Sequence, residues 1–175
     1  MLELLTAEDA KATFFLAGEQ VARHPELAGE AMARGHAIGL HCYRHRSMLR
    51  LTSRQIRDDL ARAWSAIAEA IGRDPILHRP PYGTYSAGGL VEARRALRPL
   101  LWSRWGRDWR WDATADGIVR LAARDLAAGE VILLHDSDAY SAPGCWRATL
   151  DALPYLIEAV RSAGLEPEAV GTPEC

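Results

Sequence analysis

The sequence is poor in the features that mark several special classes of protein. Its 175 residues include three cysteines, which are too few and too scattered for a disulfide framework. No apolar run approaches the roughly 20 residues that span a bilayer. Lys11 is the only lysine, and a net charge of −2 leaves no broad basic surface for nucleic acid. The sequence therefore argues against a disulfide scaffold, a membrane-spanning segment and a nucleic-acid partner.

The start of the chain resembles neither a signal peptide nor a first strand. Residues 1–9 have the pattern of a helix, without the basic and long apolar regions of a secretion signal. Because no strand precedes this helix, we expect that the natural beginning of the domain is missing. Compartment and oligomeric state stay open.

Composition and periodicity favour a single α/β domain over residues 1–175. Hydrophobic residues make up 49% and charged residues 25%, as in soluble globular proteins. Short apolar runs predict strands at 12–16, 37–40, 75–78, 100–103, 131–134 and 168–170. Amphipathic segments predict helices at 1–9, at 19–34, from a capping box at Thr52 to Gly72, at 115–127 and at 150–163. This alternation predicts a parallel sheet covered by helices, either open or closed into a barrel.

Chemically capable side chains follow four of these predicted strands directly. They are His41, Arg79, Asp108 and His135. In parallel α/β folds, the carboxyl ends of the strands meet on one face, where binding sites are built. We therefore expect these four side chains to share one site. His135, at the end of an apolar strand, fits either a proton-transfer group or a satisfied core histidine.

His41 and His45 form an H-x-x-x-H pair. In a helical turn this spacing would put both imidazoles on one side, where they could bind one metal ion. The alternative is two partly exposed histidines in a basic loop. A catalytic zinc normally takes three protein ligands, so the pair alone falls short.

A rigid turn, Arg79-Pro80-Pro81-Tyr82-Gly83, follows the third predicted strand. The prolines fix φ and remove donors, whereas the Tyr82 N–H remains able to donate. Such a donor could stabilise an oxyanion, and Arg79 could bind a carboxylate. The alternative is a simple turn that leaves a strand.

Four tryptophans crowd one short segment around Asp108. Trp102 is expected in the core because it lies in a predicted strand. Trp105, Trp109 and Trp111 lie among charged residues, which indicates a loop that serves a site.

Five segments in order resemble the polysaccharide deacetylases of carbohydrate esterase family 4, also described by their NodB-homology domain. They are KATFFLAGE, ARGHAIGLHCYRH, HRPPYG, RDW and ILLHD. The resemblance implies an α/β fold of the distorted (β/α)-barrel type, here incomplete at the N-terminus. It also implies a metal-dependent hydrolase that removes acetyl groups from N-acetylated, chitin-like or peptidoglycan-like sugars. Members are often secreted or associated with the cell envelope.

The resemblance implies roles for ten residues. His41 and His45 match the two histidine ligands of a divalent metal ion. Zinc is the metal expected first, and cobalt or another divalent ion is the alternative. Arg79 matches the arginine that orients the catalytic base. His135 matches the general acid, and Asp108 matches the residue that orients it.

The remaining matches are to substrate and oxyanion contacts. The backbone N–H of Tyr82 matches an oxyanion donor, and Pro80 and Pro81 belong to the same substrate-binding turn. Trp109 and Leu133 match the walls of the acetyl pocket.

One motif of the family is absent. Its Thr-Phe-Asp-Asp-Gly-Pro segment supplies the catalytic base and the third metal ligand, and this sequence has no such segment. Asp136 and Asp138 are unsupported substitutes. The retained Arg79, Asp108 and His135 favour an incomplete enzyme over a non-catalytic glycan-binding protein. An intracellular amidohydrolase that acts on a small amide is a third alternative.

Overall fold

The computed structural model describes residues 1–171, which divide into two compact units. The histidine-pair unit consists of residues 11–101 and the segment that begins at Ala169. The His135 unit consists of residues 1–10 and 102–168. Within residues 1–171, no helix is both long and apolar enough to cross a bilayer.

Seven α-helices and six strands are present within residues 1–171. The helices are α1 (Leu2–Ala7), α2 (Gly18–Val21), α3 (Pro25–Ala33), α4 (Ser53–Ile71), α5 (Ala87–Ala93), α6 (Ala115–Ala122) and α7 (Trp146–Ser162). The strands are β1 (Thr13–Ala17), β2 (Ala37–Cys42), β3 (Leu77–His78), β4 (Arg98–Pro99), β5 (Arg104–Trp105) and β6 (Ile132–Leu133).

All strand pairs are parallel, as the alternation of strands and helices predicts. In the histidine-pair unit the sheet order is β1-β2-β3-β4, which matches the order along the chain. In the His135 unit β5 pairs with β6. Because parallel strands need crossover connections, α2 and α3 follow β1, α4 follows β2 and α5 follows β3.

Helix α4 has the boundaries that its sequence signals predict. Thr52 and Gln55 form a capping box, with the Thr52 hydroxyl accepting from the Gln55 N–H at 3.3 Å. Gly72 ends the helix in the left-handed region, at φ 68°. The apolar face that includes Ile56 and Ile67 is buried, so this helix covers the sheet of its unit.

A glycine lets β1 and β2 approach at a bulky side chain. Phe15 and Gly39 are register partners across the two strands. A Cβ on Gly39 would lie 2.6 Å from the Phe15 ring, a contact that side chains do not tolerate. Gly39 therefore makes room for the Phe15 ring between the strands.

Three predicted elements are wrong. The helix expected at 19–34 is broken into α2 and α3, because His24 leaves helical geometry and Pro25 starts a new helix. The strand expected at 100–103 is instead a connection between β4 and β5. Residues 168–170 form no strand; the Val170 carbonyl accepts a hydrogen bond from the Thr13 hydroxyl at 2.8 Å.

Candidate functional site

The ten candidate residues divide between the two units. Six belong to the histidine-pair unit: His41, His45, Arg79, Pro80, Pro81 and Tyr82. Four belong to the His135 unit: Asp108, Trp109, Leu133 and His135. The expectation that all of them share one site stays a prediction.

The two histidines of the H-x-x-x-H pair are neighbours, although not on a helical turn. His41 is in β2, which extends to Cys42, and His45 lies in the loop that follows. The expected helical turn is therefore wrong, because the strand continues through the first histidine. The loop nevertheless returns His45, and the two ring centroids are 5.1 Å apart.

His41 is held as a neutral imidazole with a defined tautomer. Its Nδ1 donates to the backbone carbonyl of Arg79 at 2.5 Å, which leaves the lone pair on Nε2. Burial lowers the His41 pKa to about 3. A neutral histidine oriented by a carbonyl is the arrangement found in metal-binding histidines.

The loop between the histidines is held by Asp59, a residue that the sequence analysis missed. This carboxylate on α4 is buried. It accepts from the backbone N–H groups of Tyr43 at 2.7 Å and Arg44 at 3.3 Å, and from the Arg46 guanidinium at 3.1 Å. The spacing of apolar residues in α4 predicts a helix, but it does not reveal this role. Asp58 and Asp59 are adjacent, and nothing in the sequence indicates which of them contacts the loop.

Arg79 follows β3 directly and contacts residues in or just after the other three strands of its unit. Its backbone N–H donates to Leu40 of β2, and its side chain donates to the carbonyls of Leu100 and Leu101 after β4. The guanidinium lies 4.1 Å from the centre of the Phe15 ring of β1. Burial lowers the Arg79 pKa to about 10, which still leaves the side chain charged near neutral pH.

The turn after Arg79 is rigid and locally strained. Pro80 and Pro81 are buried, and hydrogen bonds from Gly83 to Pro80 and from Thr84 to Pro81 close the turn. Tyr82 lies in the left-handed region, at φ 58° and ψ 14°, which a bulky residue adopts only under constraint. Neither closing hydrogen bond uses the Tyr82 N–H.

The histidine pair fits a divalent cation as part of a ligand set. The two imidazoles are close, and that of His41 is neutral. Cys42 does not extend the set, because its thiol is buried and burial raises its pKa, which disfavours the thiolate. Within residues 1–171, no group of three or more His, Cys, Asp and Glu side chains is arranged to hold a metal ion.

In the His135 unit, a fully buried carboxylate holds the candidate acid. Asp108 accepts from the His135 backbone N–H at 2.5 Å and from His135 Nδ1 at 2.9 Å. Because a carboxylate only accepts, Nδ1 carries a hydrogen and Nε2 is left for a substrate. The His135 side chain is 34% exposed, whereas that of Asp108 is fully buried.

Thr149 completes this group, and the sequence analysis missed it. Its hydroxyl on α7 donates to Asp108 at 2.9 Å, and Thr149 is fully buried. Asp108 therefore has three donors, which compensate for burial of its charge. A threonine inside an amphipathic helix carries no local signal for this contact, which depends on how α7 packs.

Aromatic rings border the candidate acid. Trp109 lies edge-on to His135, with centroids 5.6 Å apart. Leu133 is buried on β6, two residues before His135. Trp102, expected in a buried strand, lies outside any strand and is only half-buried, with its ring 6.0 Å from that of Trp105.

Comparison with known proteins identifies relatives along almost the whole chain. A family model described as polysaccharide deacetylase matches residues 1–96. A chitooligosaccharide deacetylase from Bradyrhizobium is 33% identical over 95% of this chain and 79% of its own length.

Solved structures agree with this result. A family 4 carbohydrate esterase from Streptomyces lividans, in complex with acetate, has a TM-score of 0.85 and 33% identity, over 97% of this chain and 84% of its own. These similarities confirm the predicted α/β fold of the distorted-barrel class.

A second solved structure has a different functional status. It is a family 4 pseudoenzyme from Bacillus anthracis, with a TM-score of 0.85 and 25% identity. The alignment covers 97% of this chain and 57% of that protein. The same fold therefore occurs in a protein described as a pseudoenzyme.

Proposed function

Because this chain belongs to the polysaccharide deacetylase family, we propose that it removes acetyl groups from N-acetylated glycans of the chitin or peptidoglycan type. The proposed reaction is a metal-dependent hydrolysis of the acetamide C–N bond. Relatives described as chitooligosaccharide and peptidoglycan deacetylases support this substrate class.

The observation that carries the proposal is the Asp108–His135 pair. Two hydrogen bonds from one residue to a buried carboxylate fix the orientation of the imidazole through its Nδ1 side, so that Nε2 is the nitrogen left to carry a proton toward a substrate. His135 Nε2 would then donate a proton to the sugar nitrogen as the C–N bond breaks, so that a neutral amine leaves. Trp109 and Leu133 would form apolar walls for the acetyl methyl group.

In the other unit, His41 and His45 would hold the cation. A bound divalent ion would polarise the acetyl carbonyl and acidify a water molecule. The Tyr82 N–H would donate to the developing oxyanion, and its rigid turn would reduce the reorganisation needed. Arg79 would help to position the catalytic base that the family's first motif supplies.

Acetate release from chito-oligosaccharides in the presence of zinc tests the proposal. We expect weak zinc binding and poor turnover by the 175-residue chain, because its motif-matching positions supply neither the base nor a carboxylate ligand. A chain extended at its start by a strand with the Thr-Phe-Asp-Asp-Gly-Pro segment should release acetate. In that extended chain, His135→Ala should lower the rate about 10²–10⁴-fold.

His24→Ala in the extended chain is the matched control, because His24 is an exposed histidine on the surface. It should leave the rate unchanged. Normal turnover by the 175-residue chain would show that another residue acts as the base. No acetate from the extended chain with zinc would contradict a deacetylase.

The second candidate is a non-catalytic glycan-binding protein. The missing aspartate motif and the similarity to a family 4 pseudoenzyme favour it. It predicts chitin-oligomer binding that Trp109→Ala weakens and that a chelator does not affect. Loss of binding after chelation would count against this candidate.

A further inference from the structure

Trp105 belongs to a series of aromatic rings that continues outward from the candidate acid. Its ring centroid is 5.1 Å from that of Trp109, which in turn contacts His135. Trp102 also adjoins Trp105, with ring centroids 6.0 Å apart. Trp105 is 42% exposed, although a ring of this size is usually largely covered.

The strand pairing places Trp105 beside the proposed acetyl pocket. Trp105 and Leu133 are register partners across β5 and β6. Partners in register on parallel strands share a face of the sheet, so the Trp105 ring continues the surface that Leu133 and Trp109 begin. A ligand with one unit against Trp109 would therefore meet Trp105 with its next unit.

Arg107 adds a polar group at the same place. Its guanidinium carbon lies 5.9 Å from the centre of the Trp105 ring, and the side chain is exposed. A flat apolar face with a hydrogen-bond donor beside it matches a pyranose, which has C–H groups on its faces and hydroxyl or acetamide oxygens at its rim. The positive charge of the guanidinium strengthens a hydrogen bond to a neutral sugar oxygen and does not require an anionic ligand.

We infer that Trp105 and Arg107 form an outer sugar subsite, which binds the N-acetylhexosamine unit adjoining the one at Trp109. The inference rests on the proposed function for its substrate class. Such a subsite would make the chain selective for oligomers over the monosaccharide. Trp105 would stack on the face of the outer sugar, and Arg107 would donate to its acetamide or hydroxyl oxygen.

Calorimetric titration of the 175-residue chain with N-acetylglucosamine and with its tetramer tests the subsite. The wild-type chain should bind the tetramer more tightly than the monomer. Trp105→Ala should weaken tetramer binding by about tenfold, the size of one lost ring contact, and should leave monomer binding unchanged. Trp105→Leu, which keeps apolar volume but lacks the flat face, should behave like Trp105→Ala.

Trp105→Phe and Trp111→Ala are the controls. The phenyl ring should restore part of the preference for the tetramer. The sequence pattern groups Trp111 with the same loop, but its ring is 85% exposed and does not belong to the series from Trp102 to His135, so its removal should have no effect. Circular dichroism of every variant separates lost binding from lost folding. Equal tetramer affinity in wild type and a folded Trp105→Leu variant would overturn the inference.

The two proposals can fail separately. Length-selective binding that depends on Trp105, without acetate release by the extended chain, would support the subsite and contradict the proposed deacetylase activity. Acetate release from the extended chain, with no effect of Trp105→Leu on the preference for longer oligomers, would support the deacetylase activity and contradict the subsite.

Discussion

Each unit uses one buried aspartate to hold its candidate functional histidines, but the two aspartates act on different groups. Asp108 contacts the catalytic candidate itself, through the backbone and Nδ1 of His135. Asp59 holds the loop of the histidine pair, through the backbone N–H groups of Tyr43 and Arg44 between the two histidines. The first fixes a side chain, and the second fixes a loop.

This contrast predicts how directly a substitution at each aspartate should affect the histidines. A change at Asp108 alters the tautomer and orientation of the proposed acid at once. A change at Asp59 alters the loop first and the spacing of His41 and His45 only as a consequence. Burial follows the same order, since Asp108 is fully buried and Asp59 is 9% exposed.

We expect the largest effect from Asp108→Asn. The amide can keep only part of the acceptor set, and its NH₂ group would face a donor in a fully buried place. The free energy of unfolding should fall by about 2–4 kcal/mol, measured by urea denaturation. Asp112→Asn, an exposed aspartate in the same segment, is the control and should have little effect. Equal stabilities of the two variants would contradict the proposed importance of this carboxylate.

A smaller effect is expected from Asp59→Ala, which should lower stability by about 1–3 kcal/mol. The sharper measurement is limited trypsin digestion, since release of the loop should speed cleavage after Arg44 and Arg46. Asp58→Ala is the matched control, because Asp58 is exposed on the same helix and only loosely paired with Arg54. Unchanged cleavage in Asp59→Ala would show that the loop is held by other contacts.

Substitutions at Tyr82 test how much the strained turn of the histidine-pair unit affects stability. Tyr82→Val puts a β-branched residue in the left-handed region and should destabilise the chain by about 1–2 kcal/mol. Tyr82→Gly removes the side chain without this strain, so its effect on stability should be smaller. Thermal unfolding of both variants measures the difference in their stabilities. A Tyr82→Val variant more stable than Tyr82→Gly would contradict the prediction.

The smallest effect concerns a pair away from the site. The hydrogen-bonded Arg57 guanidinium lowers the pKa of Glu92 below its ordinary value of 4.5. The folded state therefore gains stability from ionised Glu92 above that value, and loses it as the pH falls through the lowered pKa. Glu92→Gln should reduce stability near neutral pH, and the difference from wild type should shrink in acid. Urea midpoints measure this, with the exposed Glu69→Gln as the control; a constant difference would contradict the linkage.

Local sequence signals predicted the elements best where local chemistry defines them. The capping box at Thr52 and the glycine at position 72 gave the limits of α4, because both act within a turn of the helix. The run 100–103 was misassigned because apolar residues also occur in a connection between two sheets. Periodicity alone predicts one continuous helix at 19–34, but the helix is interrupted before Pro25. A proline is tolerated in the first turn of a helix and disrupts the interior.

The family pattern, the parallel α/β class and the candidate histidines follow from the sequence, because they depend on residue type and spacing. The groups that hold these histidines are known only from the packed fold. Asp59 is 14 residues beyond His45, and Thr149 is 41 residues from Asp108. Contacts at such separations arise when helices pack on strands, so they leave no periodic trace in the chain.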